Sequence, residues 1–201
     1  MPSLLETLGT VLASSNSTGR LSKKIGADES TTGSALSMAL PLILGALTKN
    51  ASNRGGAESL LNALSKDHDG SVMDNLDGLL DNPDQGPGDG ILRHALGSNR
   101  GRVESSLSKS TGLDANSIAT ILKVAAPLVM GALGKSRRSN HMDANALSEL
   151  LRNEEAEIQV KTPQSSGLMN MLLDTDGDGD VDLSDIAQSG LPNLLGSLFK
   201  R

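Results

Sequence analysis

Six aspartates lie within residues 174–185, and no basic residue stands among them. They are Asp174, Asp176, Asp178, Asp180, Asp182 and Asp185. Calcium is a hard cation that takes about six to eight oxygen ligands, and carboxylates are its usual protein donors. Without a cation, carboxylates this close together repel one another strongly. The residue types therefore predict Ca²⁺ binding as the chemistry of this segment, with Ca²⁺ as the cofactor.

The spacing of these aspartates fits the twelve-residue loop of an EF-hand. Asp174, Asp176 and Asp178 take loop positions 1, 3 and 5, where carboxylates point inward. Gly179 at position 6 permits the sharp turn that the loop needs. The remaining donors are the backbone carbonyl of Asp180, a water held by Asp182, and the carboxylate of Asp185 at position 12.

Two departures from the pattern affect the strength of the predicted site. Asp185 is one methylene shorter than the usual Glu at position 12, which predicts weaker calcium binding and stronger competition by Mg²⁺. Only residues 168–173 are available as an entry helix after Gly167. A complete loop with an exit helix and almost no entry helix resembles one half of a dockerin-type repeat. Dockerins carry two such loops, and the chain has no second complete one, so cohesin binding does not carry over.

Two other metal sites are alternatives. Residues 65–76 imitate a calcium loop, but Ser65 would take position 1 and Leu76 position 12, and a leucine cannot ligate. His68, Asp69 and His94 could form a transition-metal site. Two separated histidines more often serve as capping or buried hydrogen-bonding groups, so both alternatives rank below the aspartate loop.

The composition predicts an all-α fold for the elements that position these residues. The 201 residues include no Cys, Trp or Tyr and one Phe, so disulfides, thiol chemistry and aromatic stacking platforms are excluded. A core without aromatic residues must be aliphatic, whereas all-β folds depend on aromatic and β-branched residues. Outside residues 174–185 the charges balance, with 18 acidic and 18 basic residues.

An internal repeat organises most of the chain. Residues 21–49 align without a gap with residues 107–135, and 13 of the 29 positions are identical. We predict two tandem helical modules, with copies at about 4–64 and 90–151. In each copy a glycine, Gly26 or Gly112, ends a short helix. Long helices are then expected at about 30–49 and 116–135, each with an interior proline. Gly-Ala-Leu after each proline would let another helix approach closely.

Three segments carry a resemblance to a known family. They are residues 68–76 (HDGSVMDNL), 90–97 (GILRHALG) and 126–131 (APLVMG). These segments resemble the bacterial family called domain of unknown function 937, over about residues 5–152. The resemblance implies an all-helical bacterial protein and assigns no activity to it.

The predicted domains are therefore a helical body at 1–152, a polar and aperiodic linker at 153–167, and a calcium-binding tail at 168–201. The first residues lack a basic segment followed by an apolar run, which predicts a cytoplasmic protein. Export by a secretion system that needs no N-terminal signal is the alternative. The most apolar stretch, 35–47, is shorter than the roughly 20 residues that cross a bilayer, so no membrane span is predicted.

These features together predict a non-enzymatic calcium-binding protein that acts in protein–protein interaction or self-assembly. An apolar stripe in the tail, made of Leu191, Leu194, Leu195, Leu198 and Phe199, needs a partner surface. It could dock on the body or, as our hypothesis has it, on a neighbouring subunit in calcium. The alternative is a DNA-binding protein with an accessory calcium tail, and its basic candidates are Arg93, Arg100, Arg102, Lys135, Arg137 and Arg138. No catalytic motif is found.

Overall fold

The structure is a computed structural model that describes residues 3–14 and 16–161. Those residues form α-helices and short 3₁₀ turns and contain no strand, so the all-α prediction is confirmed. The helices are α1 (Leu4–Ser14), α2 (Ser17–Ile25), α3 (Glu29–Asn50), α4 (Arg54–Lys66), α5 (Leu76–Asp81), α6 (Gly88–Leu96), α7 (Arg100–Thr111), α8 (Ala115–Asn140) and α9 (Ala144–Lys161). The 3₁₀ turns are Ser71–Asp74, Pro83–Gln85 and Gly97–Asn99.

The junctions before the two long helices are built alike. Gly26 ends α2 with a φ of 69°, and Gly112 ends α7 with a φ of 75°, a left-handed conformation that a side chain would strain. Asp28 then caps α3 by accepting a hydrogen bond from the Thr31 N–H, and Asp114 caps α8 in the same way from Ser117. The predicted glycine stops are confirmed.

The two long helices occur close to their predicted positions. Pro41 lies inside α3 and Pro127 inside α8. Helix α8 continues past residue 135, where we expected it to end, because no glycine or proline interrupts residues 135–140. It stops at His141, whose φ of 51° is left-handed and whose N–H donates to the Arg137 carbonyl.

The helices share one hydrophobic core that draws on both predicted copies. Helix α3 packs most extensively on α8 and also on α9, and α4 packs on both α8 and α9. Residues of all four helices, such as Ile43, Leu64, Ile121 and Leu151, have an exposed fraction below 1%. Elements of the second predicted copy thus complete the core of the first.

Helix α9 runs into the segment predicted as a linker. It extends to Lys161, and only 2% of the surface of Ile158 is exposed. Leu147, Leu151, Glu154 and Ile158 are all buried and recur at helical spacing. The predicted start of the linker at residue 153 was wrong. Glu154 takes a position in the buried stripe where an apolar residue is expected, so the helical periodicity is not evident in the sequence.

Within residues 3–14 and 16–161, two helices are long and apolar enough to cross a membrane by length and composition alone. They are α3 and α8, and their most apolar windows are 72% and 83% buried inside the structure. Core helices of globular proteins pass the same test, so this composition carries no argument for a span, and the prediction that none exists stays a prediction.

Candidate functional site

An open cleft of about 680 Å³ lies between α4 and α6. Leu47 of α3 and Met130 of α8 are buried and form its floor. The walls are mainly apolar and include Leu60, Ala63, Ile91 and Ala95. Asp67 is the one acidic residue in the lining, and no Lys or Arg is among the lining residues. Its size and composition are typical of a binding cleft.

Helix α6 is held against the body at both of its ends. At its C-terminal end, the Asn50 carboxamide donates to the carbonyls of His94 and Ala95, at 3.1 and 3.0 Å. At its start, Gly88 touches the backbone of α8, since a Cβ on Gly88 would lie 2.2 Å from the Lys123 carbonyl oxygen. Both contacts fix the wall that faces α4.

Charged groups support the same region from outside the cleft. The Arg100 guanidinium lies 2.8 Å from both Asp89 and Glu104, and the Lys123 ammonium lies 2.7 Å from Asp84. A hydrogen bond from Arg100 is the largest cause of the lowered pKa of Asp89. Asp89 of α6 thus pairs with Arg100 of α7 and, at 3.5 Å, with Lys123 of α8. The wall of the cleft is therefore anchored by ion pairs as well as by backbone contact.

The loop after α4 forms the end of the cleft and contains His68. The backbone here presses on α8, because a Cβ on Gly134 would lie 1.8 Å from the His68 carbonyl oxygen. Gly70 in the same loop has a φ of 102°. A Cβ on Gly131 would likewise lie 2.4 Å from the Val72 side chain in the 3₁₀ turn Ser71–Asp74. At these two glycines of α8 the neighbours are therefore a 3₁₀ turn and a loop, where we expected another helix.

His68 lines this cleft and also a second cleft of about 490 Å³, and the two clefts share Asp67 and Pro87 as well. Burial lowers the pKa of the His68 imidazole, and the neighbouring Asp67 carboxylate acts in the opposite direction. A lowered pKa keeps the ring neutral at pH 7, with one donor and one acceptor nitrogen.

The structure does not support the alternative metal sites. Ser65 lies within α4 and Leu76 is buried in the core, so residues 65–76 do not curl as a calcium loop. His68 and His94 both line the cleft, but Asp69 does not. The Asp69 carboxylate instead accepts a hydrogen bond from the Ser71 N–H at 3.0 Å. Nowhere in the described part of the chain do three His, Cys, Asp or Glu residues form a metal-binding group.

The predicted calcium ligands Asp174, Asp176, Asp178, Asp180 and Asp185, with Asp182, lie outside the described residues. So does the apolar stripe of the tail. The calcium prediction therefore continues to rest on the spacing of the aspartates in the sequence.

Some of the basic residues considered for DNA binding form ion pairs with carboxylates. Arg100 is paired with Asp89 and Glu104, and Arg138 lies 3.4 Å from Asp69. Paired charges contribute less to phosphate binding than free ones do, because the cation must first leave its carboxylate.

The cleft was not among the features predicted from the sequence. One signal was present, since α4 carries Leu60, Leu61, Ala63 and Leu64, which is more apolar surface than one buried stripe requires. Leu64 is buried in the core, whereas Leu60, Leu61 and Ala63 are only partly buried against it.

Comparison with known families gives a match that covers more than half of the chain. The family model described as bacterial protein of unknown function (DUF937) matches residues 7–136, and the chain belongs to this family. The matched part includes the three resembling segments and ends within α8, so α9 lies beyond it. No curated protein and no solved structure matches the chain.

Proposed function

We propose that the chain is a non-enzymatic calcium-binding protein that acts through protein–protein contact, either with another protein or in self-assembly. The observation that carries the interaction part is the open apolar cleft between α4 and α6. Exposed apolar surface of this kind is costly to leave in water, and it is characteristic of binding sites.

The polar groups in the cleft support a binding role more than a catalytic one. The Ser59 hydroxyl donates to the Gly55 carbonyl of its own helix at 2.7 Å, so it is not paired with a histidine base. The Asn50 amide is committed to the end of α6.

The calcium part rests on the aspartate loop at 174–185. The six carboxylates carry all the excess negative charge of the chain, and their spacing matches the calcium loop. A single site is the expectation, since the described residues offer no second cluster of ligands.

Calorimetric titration of the full chain with CaCl₂ tests this proposal. Asp178 and Asp69 stand at position 5 of the complete loop and of the imitated loop, so Asp178→Ala and Asp69→Ala form a matched pair. We expect one site with a dissociation constant between about 1 μM and 1 mM. Asp178→Ala removes a ligand oxygen and should abolish binding, as should Asp174→Ala, whereas Asp69→Ala should retain it. Unchanged binding in both Asp174→Ala and Asp178→Ala would refute the calcium assignment.

The interaction part has its own measurement. Light scattering after size-exclusion chromatography, run on the full chain in calcium and then in chelator, reports both the mass and the metal dependence of any assembly. A variant with Leu60→Glu places a charge in the cleft and should weaken a contact made there. If no condition changes the mass and no bound protein is released by this substitution, the interaction proposal fails.

A further inference from the structure

We propose that the cleft between α4 and α6 is the docking site for residues 191–199 of the same chain. This inference goes beyond the proposed function: the chain's own segment fills the cleft, and a partner protein that binds there must displace it. Residues 191–199 lie beyond the described residues, and the inference is drawn from their sequence and from the structure of the cleft.

The pattern of the segment fits a groove of this type. Leu191, Leu194, Leu195 and Leu198 stand at positions i, i+3, i+4 and i+7, the spacing by which an amphipathic helix anchors in an apolar groove. Phe199, the one aromatic residue of the chain, adjoins them. The cleft presents aliphatic walls on α4 and α6 and a floor of Leu47 and Met130.

The charges of the two surfaces are complementary. Residues 186–199 contain no charged side chain, and Lys200 and Arg201 follow them directly. The cleft lining contains one carboxylate, Asp67, and no Lys or Arg. A segment seated with its basic residues toward Asp67 would meet an opposite charge at one end and only apolar or neutral polar groups elsewhere.

The length of chain after α9 allows the segment to reach the cleft. Leu191 lies thirty positions after Lys161, and an extended chain of that length spans up to about 100 Å. A globular body of this size has a radius of gyration of about 15 Å. Tethering gives the segment an effective concentration of about 1 mM at the cleft. At a micromolar concentration of protein, the chain's own segment therefore outcompetes the same segment of a second copy.

Engineered cysteines test this placement directly, because the full chain contains no cysteine of its own. Ser59→Cys places a thiol on the α4 wall, and Ser197→Cys places one beside the leucine stripe. The control pairs Ser197→Cys with Ser30→Cys, which is exposed and lies seventeen residues from Leu47 on α3, about 26 Å away. Under mild oxidation in calcium, disulfide formation within one chain should be at least tenfold faster in the first pair.

A substitution in the stripe distinguishes docking from chance encounter. Leu195→Asp should slow the disulfide of the Ser59/Ser197 pair about tenfold, whereas Leu195→Met should leave it within about twofold. Equal rates for the two cysteine pairs would overturn the inference. Disulfides that form mainly between two chains would also overturn it and assign the cleft to a second copy.

Calcium titration of the same variants separates this inference from the proposed function. If calcium binds but the cysteine pair shows no preference, only the docking inference fails. If the preference is found without calcium binding, the docking inference stands and the calcium assignment fails.

Discussion

The backbone N–H of Leu4 donates to both carboxylate oxygens of Glu154, at 2.9 and 3.0 Å, across 150 positions of sequence. This contact supplies an acceptor and a negative charge to the start of α1, where helical N–H groups have no partner within the helix. Glu154 is buried, with an exposed fraction of 7%. A polar contact at this depth therefore joins the first helix to the last described one.

The first prediction concerns the loss of this acceptor. Glu154→Ala leaves the buried Leu4 N–H without its partner and should lower the free energy of unfolding by about 1–3 kcal/mol. Glu149 is exposed on the same helix, and Glu149→Ala should change it by less than about 0.5 kcal/mol. Urea unfolding followed by circular dichroism measures both, since the chain has no Trp or Tyr for fluorescence. Equal effects of the two substitutions would contradict the contact.

The second prediction concerns pH. Burial raises the pKa of Glu154 in the folded chain, Glu157 and Glu6 add to this, and the Leu4 N–H opposes it. The folded state therefore binds a proton more readily than the unfolded state, so the contribution of this group to stability is present at low pH and lost as pH rises through the folded pKa. Relative to Glu154→Gln, the native chain should gain stability as pH falls from 7 toward 4.5. A constant difference between the two proteins over that range would contradict the raised pKa.

A third prediction uses two glycines inside helices. Alanine at Gly134 would place a Cβ against the His68 carbonyl and force the loop away from α8, which should cost about 1–3 kcal/mol. A Cβ on Gly90 meets nothing within 4 Å, so Gly90→Ala should stabilise α6 by about 0.5–1 kcal/mol. Opposite signs in thermal unfolding are the expected result. Stabilisation by both substitutions would show that the loop does not press on α8.

The fourth prediction tests the anchor of the cleft wall. Asn50→Asp removes two donors and turns a carboxylate toward the carbonyls of His94 and Ala95, which should lower the free energy of unfolding by about 1–3 kcal/mol. Asn62 is exposed on α4, and Asn62→Asp should have little effect. Urea unfolding of both variants measures the difference. Equal unfolding midpoints for Asn50→Asp and Asn62→Asp would mean that Asn50 does not hold α6.

The fifth prediction concerns the end of the described body. Ile158→Ala should destabilise the fold by about 2–4 kcal/mol, because the side chain is buried although it lies in the predicted linker. Asn153→Ala on the exposed side of α9 is the control. A negligible effect of Ile158→Ala would restore the predicted boundary at residue 153.

Local signals predicted the helices well where they are strong. The glycines at 26 and 112 and the aspartates at 28 and 114 marked the ends of α2 and α7 and the starts of α3 and α8, because these residue types satisfy the backbone there directly. The end of α8 and the course of α9 were predicted less well. Both depend on tertiary burial, such as that of Glu154 against Leu4, which no local pattern reveals.

The cleft could not be predicted because it depends on which faces of α4 and α6 remain unpacked. The apolar residues of α4 are compatible with full burial, and only the positions of α6 and α8 leave Leu60 and Ala63 at an open surface. Those positions are set by contacts between distant residues, such as Gly88 with Lys123.

The shared core of α3, α8 and α9 has a consequence for synthesis on the ribosome. Thr48 near the end of α3 donates to the Leu151 carbonyl, and Ser148 donates to the Ala51 carbonyl, so the C-terminal end of α3 makes these contacts only when α9 is present. The N-terminal helices are synthesised first, before their contacts on α9 exist. At about 5–20 residues per second, the roughly 150 residues between Leu4 and Glu154 take roughly 8 to 30 s to appear. During that time the apolar face of α3 is available to chaperones, and the body can close only after α9 has emerged.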